Sequence, residues 1–369
     1  MIDLQCKDII AFIEKKAPLF LQEDYDNSGL QWGNPDDEVQ KVLVCLDLTQ
    51  EAIDAAKKEG AQMILTHHPI LFRPMKSIHT GFGKGAMLAD CIREGICVYA
   101  AHTNYDTALN GLNDHLAATL ELQDVEGLKE HYRESLYKLV VFIPTDSLEK
   151  VRQAIYDAGA GWIGNYSDCG FTAEGIGTFR PGEGSNPYIG QRGDLEKVRE
   201  YRLETVVPGD RLNRVVETML QVHPYEEVAY DVYRLDQPGH AYSLGRVGTL
   251  KNKLQEEEFI TYVKEKLRVP NVRIIRRTQS EPISRVAVFC GSFDGDWKAL
   301  NAKKADALVT GDLKYHDAQD LQQAGIFTID AGHYHTEKLF IKGISDVLKK
   351  QFNDVIIVEH YGQDVFDYR

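Results

Sequence analysis

The chain has 369 residues, 43% hydrophobic and 27% charged; it is long enough for two or three domains, and its ordinary globular composition excludes disordered and collagen-like classes. Acidic residues outnumber basic ones 56 to 42, for a formal charge of −14, so general affinity for nucleic acid is not expected. The six cysteines form no CxxC pair, charges interrupt the N-terminal stretch, and no apolar run approaches the ~18 residues of a membrane span; the expectation is a cytoplasmic protein with no signal peptide, membrane segment or disulfide framework.

Residues 5–20 read as an amphipathic helix carrying Ile9, Ile10, Phe12 and Ile13. Short apolar strands follow at 41–48, 63–66 and 97–102, with helices at 50–59 and 85–94 between them. That alternation predicts an α/β lobe with mostly parallel pairing. The far end repeats the theme, with strands at 285–290, 307–310 and 327–330, a helix over 336–350 and a closing strand at 355–358. The middle differs: its order is β-α-β-β-α-β, with a Gly- and Pro-rich loop at 180–193, the ferredoxin-like arrangement. The fold class expected is therefore α/β: two similar lobes forming one discontinuous domain, at 1–131 and 237–369, with an inserted ferredoxin-like (βαββαβ) domain at 132–236.

Three clusters of histidine and carboxylate lie just past predicted strands, the edge where α/β sheets build sites. Thr66-His67-His68-Pro69 offers two imidazoles to one site if the chain bends at the proline. In His102-Thr103-Asn104-Tyr105-Asp106, an extended chain puts residues 102, 104 and 106 on one face. In His333-Tyr334-His335-Thr336-Glu337, residues 333 and 337 stand one helical turn apart, and the apolar Phe340 and Ile344 continue that face inward. An inward carboxylate needs a compensating cation or donor. Each cluster also has a plain alternative: ordinary loop histidines, a polar turn, or a Glu favoured by a helix N-terminus. Taken together, His67, His68, Asp106, His333 and Glu337 make a mixed imidazole and carboxylate set that suits Zn, Mn, Fe or Ni rather than Ca. Five ligands exceed the needs of one tetrahedral ion; two divalent ions about 3.5–4 Å apart would use them and activate water as a hydroxide nucleophile. The chain has no GxxxxGK[ST] loop and no GxSxG elbow.

In this order the motifs resemble the NGG-interacting-factor-like family, whose members are often labelled GTP cyclohydrolase I type 2 homologues. The carriers are residues 25–30 (YDNSGL), 45–49 (CLDLT), 66–69 (THHP), 102–106 (HTNYD), 311–316 (GDLKYH) and 332–337 (GHYHTE). The resemblance implies a dinuclear metal site at His67, His68, Asp106, His333 and Glu337, with zinc the first choice and Mn, Fe or Ni also suitable. It makes His102 and His316 neighbours of the metals, able to act as general acid or base. It also implies a toroidal homohexamer. The insert resembles CutA and PII-like trimeric domains around His223-Pro224-Tyr225-Glu226-Glu227, which raises a second metal idea at His223 and Glu226 beside the plainer reading of a structural turn. Two functions follow: a metal-dependent hydrolase of a nucleotide-like or other small substrate, or a non-catalytic metal-binding scaffold whose ring and insert bind a partner or effector.

Overall fold

A computed structural model describes residues 4–278 and 280–367. It divides into one unit of Met1–Tyr132 with Tyr242–Arg369 and another of Arg133–Ala241. The first unit holds two sheets. The five-stranded sheet runs Gly29–Trp32, Cys97–Ala100, Met63–Thr66, Lys41–Cys45, Ile356–Glu359. All its pairs are parallel except the first. The six-stranded sheet runs Arg273–Ile275, Phe327–Asp330, Ala307–Gly311, Ile283–Ser292, Ala241–Leu254, Gln123–Arg133. Its three central strands are parallel, and both strands flanking them run antiparallel.

Burial on both faces explains why the parallel strands are nearly continuous apolar runs. Along Lys41–Cys45, Val42 and Val44 enter the main core, while Leu43 and Cys45 enter a second core under helices Gln50–Glu59 and Gly83–Glu94. In the other sheet Val286 and Val288 face the main core, and Ala287 and Phe289 face a third. The main core therefore collects the inner faces of both sheets. Helices Cys6–Lys16, Glu256–Leu267 and Leu339–Gln351 fill it with Ile9, Ile13, Phe259, Phe340 and Ile344. Helix Gln50–Glu59 starts where the Thr49 hydroxyl accepts the Ala52 N–H at 3.1 Å and stops at left-handed Gly60. Thr49→Ala is expected to lower stability by about 1 kcal/mol in urea unfolding, with bound metal unchanged; an unaltered midpoint would show that the cap contributes nothing.

Two features depart from the sequence reading. The closing strand, Ile356–Glu359, does not complete the second lobe; it pairs in parallel with Lys41–Cys45 and completes the first sheet. Conversely, Gln123–Arg133 and Ala241–Leu254, which the periodicity did not reveal, extend the second sheet. Gln123–Arg133 is a charged edge strand with few buried positions, a composition that blunts an edge but erases the alternating pattern.

The second unit contains strand Leu136–Pro144, helix Leu148–Asp157, strands Gly170–Phe179 and Glu196–Pro208, helix Leu212–Val222 and strand Tyr230–Leu235. Its four strands lie in the order Gly170–Phe179, Glu196–Pro208, Leu136–Pro144, Tyr230–Leu235, all antiparallel. Both helices pack on one face, burying Val151, Ile155, Val215 and Met219 against Leu139, Val141 and Leu203. No helix of the described residues is long and apolar enough to cross a membrane.

Candidate metal centre

The strand ends of the first unit bring the predicted clusters together. After strand Met63–Thr66 the chain bends, so that the backbone N–H groups of His67 and His68 both reach the Leu46 carbonyl, at 3.1 and 3.0 Å. Both side chains can then serve one site. His333 and Glu337 share a single helical turn, His333–Glu337, with Nε2 and Oε2 2.8 Å apart. His68 Nε2 lies 2.9 Å from the same Oε2 and 3.2 Å from His333 Nε2. His67 Nε2 stands 3.9 Å from Glu337 Oε2 and 3.7 Å from Asp106 Oδ1. Gly291 makes room for the acid: with φ +59°, it occupies a spot where a Cβ would fall 2.1 Å from Glu337 Oε1.

Each imidazole is oriented from behind. The Nδ1 of His67 faces the Ala101 carbonyl at 2.8 Å, that of His68 faces Asp47 at 2.9 Å, and that of His333 faces Asp312 at 2.8 Å. Nδ1 of His102 faces Asp26 at 2.7 Å. These oxygens only accept, so each Nδ1 carries the proton, and the Nε2 atoms are left for the site. Asp312 reaches His333 through a left-handed backbone turn, φ 50°, which a short polar side chain tolerates. Sequence reasoning assigned no role to Asp26 or Asp47 and did not pair Asp312 with His333; the available signal was an acid in a turn beside each histidine-bearing strand end. Asp312→Ala is expected to weaken metal binding about 10–100-fold in chelator competition; an unchanged affinity would remove Asp312 from the site.

The electrostatics match a cation-binding cluster. Burial, only partly opposed by Glu337, drives His67 down to about 3, so it stays a neutral ring with a free lone pair. Burial also works against the charge on His68 and His333, but Glu337 and the two aspartates outweigh it and raise them to about 10 and about 9. Burial and the charge of Glu337 hold Asp106 well above the carboxylate range. Glu337 itself, despite burial, is held well below it by His68 and His333. His67 Nε2 and Asp106 Oδ1 are buried without a hydrogen-bond partner, which in a folded interior calls for a missing counterpart. The donor set and these orphaned atoms fit divalent metal. Two overlapping groups, His67 with His68 and His102, and His68 with His333 and Glu337, each bring their ligand atoms within 4.8 Å of one another.

The cluster opens into a cavity of about 590 Å3, walled by His68, His102, Asp106, His333 and Glu337 and further out by Tyr25, Phe72, Lys84 and Lys129. Two expectations need correction. Residues 102–106 are not extended: Thr103–Thr107 is one helical turn, so Asp106 follows His102 by a turn, while Asn104 points away and donates to the Ala17 carbonyl at 2.7 Å. His316 does not line the cavity; it is exposed at the start of helix Tyr315–Gln323, against the Tyr315 ring.

Fold and site together define an α/β protein with a partly buried imidazole and carboxylate cluster of the kind that can hold metal ions. The Duf34/NIF3 (NGG1p interacting factor 3) family model matches residues 4–365, and the chain belongs to that family. A Bacillus subtilis protein named GTP cyclohydrolase 1 type 2 homolog is 42% identical over 362 residues, 98% of this chain and 95% of its own length. A protein of the same name from Halalkalibacterium halodurans is 42% identical over 348 residues, 94% of this chain and 92% of its own. Among solved structures, a Bacillus cereus protein related to NIF3 superposes with a TM-score of 0.91 at 39% identity, and a Staphylococcus aureus protein with 0.78 at 29%; each match covers 100% of both chains.

Proposed function

We propose that this protein binds two divalent metal ions, zinc first among them, and uses them to hydrolyse a small nucleotide-like or phosphoester substrate. The observation that carries this is the convergence of His67, His68, Asp106, His333 and Glu337 on one volume, at the floor of a cavity large enough for a small molecule. These five residues would hold the ions, Glu337 reaching toward the three imidazoles. Such ions supply charge that polarises an acceptor oxygen and acidifies water.

The chain's own residues do the rest. His102 keeps its Nδ1 proton on Asp26, whose carboxyl, despite burial, is held well below the usual range by His102 and Thr103; its Nε2 then takes or returns a proton at the cavity floor. Tyr25 and Phe72, ring centroids 6.2 Å apart, offer an apolar wall to a planar substrate. We assign His316 no catalytic part.

The same reading makes the outer residues, near 1–131 and 237–369, one discontinuous two-lobed domain and 132–236 a ferredoxin-like insert, which its strand order supports. It places the protein in the cytoplasm, in keeping with six free cysteines, as a homohexamer, for which light scattering should give six times the chain mass. The deciding experiment is turnover of a nucleotide and phosphoester panel by protein loaded with Zn, Mn or Fe. Metal-dependent turnover lost in His68→Ala supports the hydrolase; bound metal with no turnover removes it and leaves a metal-binding scaffold.

A further inference from the structure

The motif His223-Pro224-Tyr225-Glu226-Glu227 takes no part in the metal centre. The Nε2 of buried His223 donates to the Phe142 carbonyl at 3.1 Å, and its Nδ1 accepts the Tyr225 N–H at 3.1 Å. Both ring nitrogens are occupied, so His223 is no metal ligand, and Glu226 accepts the Asn186 N–H at 2.8 Å instead. The histidine locks a turn, and the turn sets Tyr225, Glu226 and Glu227 on the wall of a cavity of about 510 Å3 within the second unit.

Phe179 and Tyr188 line the same cavity, their ring centroids 5.9 and 6.1 Å from that of Tyr225. Among them lies Glu200, only 7% exposed. Its Oε1 accepts the Tyr225 hydroxyl at 2.9 Å. Its Oε2 accepts no hydrogen bond among the described residues and sits where a Cβ on Gly177 would come within 1.9 Å. No ion pair among the described residues includes Glu200. The wall's one basic residue, Arg180, spends its guanidinium on the Gly193 carbonyl.

A buried carboxylate without a counter-ion is costly, and aromatic faces attract positive charge. Here both surround one space, with two further carboxylates on its wall. We propose that this cavity binds an organic cation, an ammonium or quaternary ammonium group on an apolar body, with Glu200 as its counter-ion and Phe179, Tyr188 and Tyr225 around it. The proposal is independent of the metal centre.

The test uses the full-length protein and two probes of the same shape, 2-phenylethylammonium and neutral 2-phenylethanol, followed by saturation-transfer NMR and titration. The cation is expected to bind at least about tenfold more tightly. Glu200→Gln should erase that preference and Tyr225→Ala should abolish binding, while His68→Ala binds as wild type. Where Glu200→Gln fails to fold by circular dichroism, Glu226→Gln at the exposed rim serves, with a several-fold loss expected. Equal affinity for both probes, a cation dissociation constant weaker than about 10 mM, or cavity variants at Glu200, Tyr225 or Glu226 that bind as wild type would overturn the proposal.

Discussion

Glu337→Ala is expected to leave the purified protein with less than about a tenth of the wild-type metal content. Its Oε2 lies 2.8, 2.9 and 3.9 Å from the Nε2 atoms of His333, His68 and His67, and no other carboxylate of the cluster approaches all three. Without it the Nε2 atoms of three imidazoles crowd one volume with no carboxylate shared among them, and a divalent ion there would lose its central counter-charge. Elemental analysis of protein prepared without chelators reads the outcome. Glu337→Gln keeps the shape and loses the charge, so it separates electrostatic loss from collapse of the helical turn. Wild-type metal content in both variants would sink the ligand assignment.

Metal uptake by the metal-free protein should release protons and tighten steeply as pH rises. His68 and His333, raised to about 10 and about 9, are imidazolium at neutral pH. Each must lose its Nε2 proton before it can donate a lone pair. Asp106, held above the carboxylate range, must lose one too, whereas His67, near 3, has none to lose. Falling pH therefore favours the protonated cluster and opposes the metal. The two imidazolium protons alone contribute about 100-fold in affinity per pH unit below about 9, a contribution that levels off above about 10, and the Asp106 proton adds to it. Calorimetry in buffers of differing ionisation enthalpy counts the protons; none released near neutrality would refute the account.

Much of the site was legible because its residues are polar where strands end. An imidazole or acid just past an apolar run has no core reason to be there, and His67, His68, His333 and Glu337 all met that test. The acids behind the rings were harder to read. Asp26, Asp47 and Asp312 sit in turns, where aspartate ordinarily caps backbone groups, and only the fold shows that each faces an Nδ1. The resemblance of residues 311–316 places His316 beside the metals, while the helix beginning at Tyr315 leaves it exposed. For the sheets, four apolar residues at the chain's end announce a strand but not its neighbour. Pairing depends on which edge remains open, which local pattern does not encode.

The pairing of Ile356 with Lys41 joins residues about 300 positions apart. While the chain emerges from the ribosome, strand Lys41–Cys45 waits with an unpaired edge until Ile356–Glu359 has been made. Closing so long a loop is slow, and an open edge invites other chains. The late arrival of His333 and Glu337 also means that a nascent chain holding only His67, His68 and Asp106 lacks the residues to finish the cluster. The order of synthesis thus withholds the full set of metal-holding residues until Glu337 has been made.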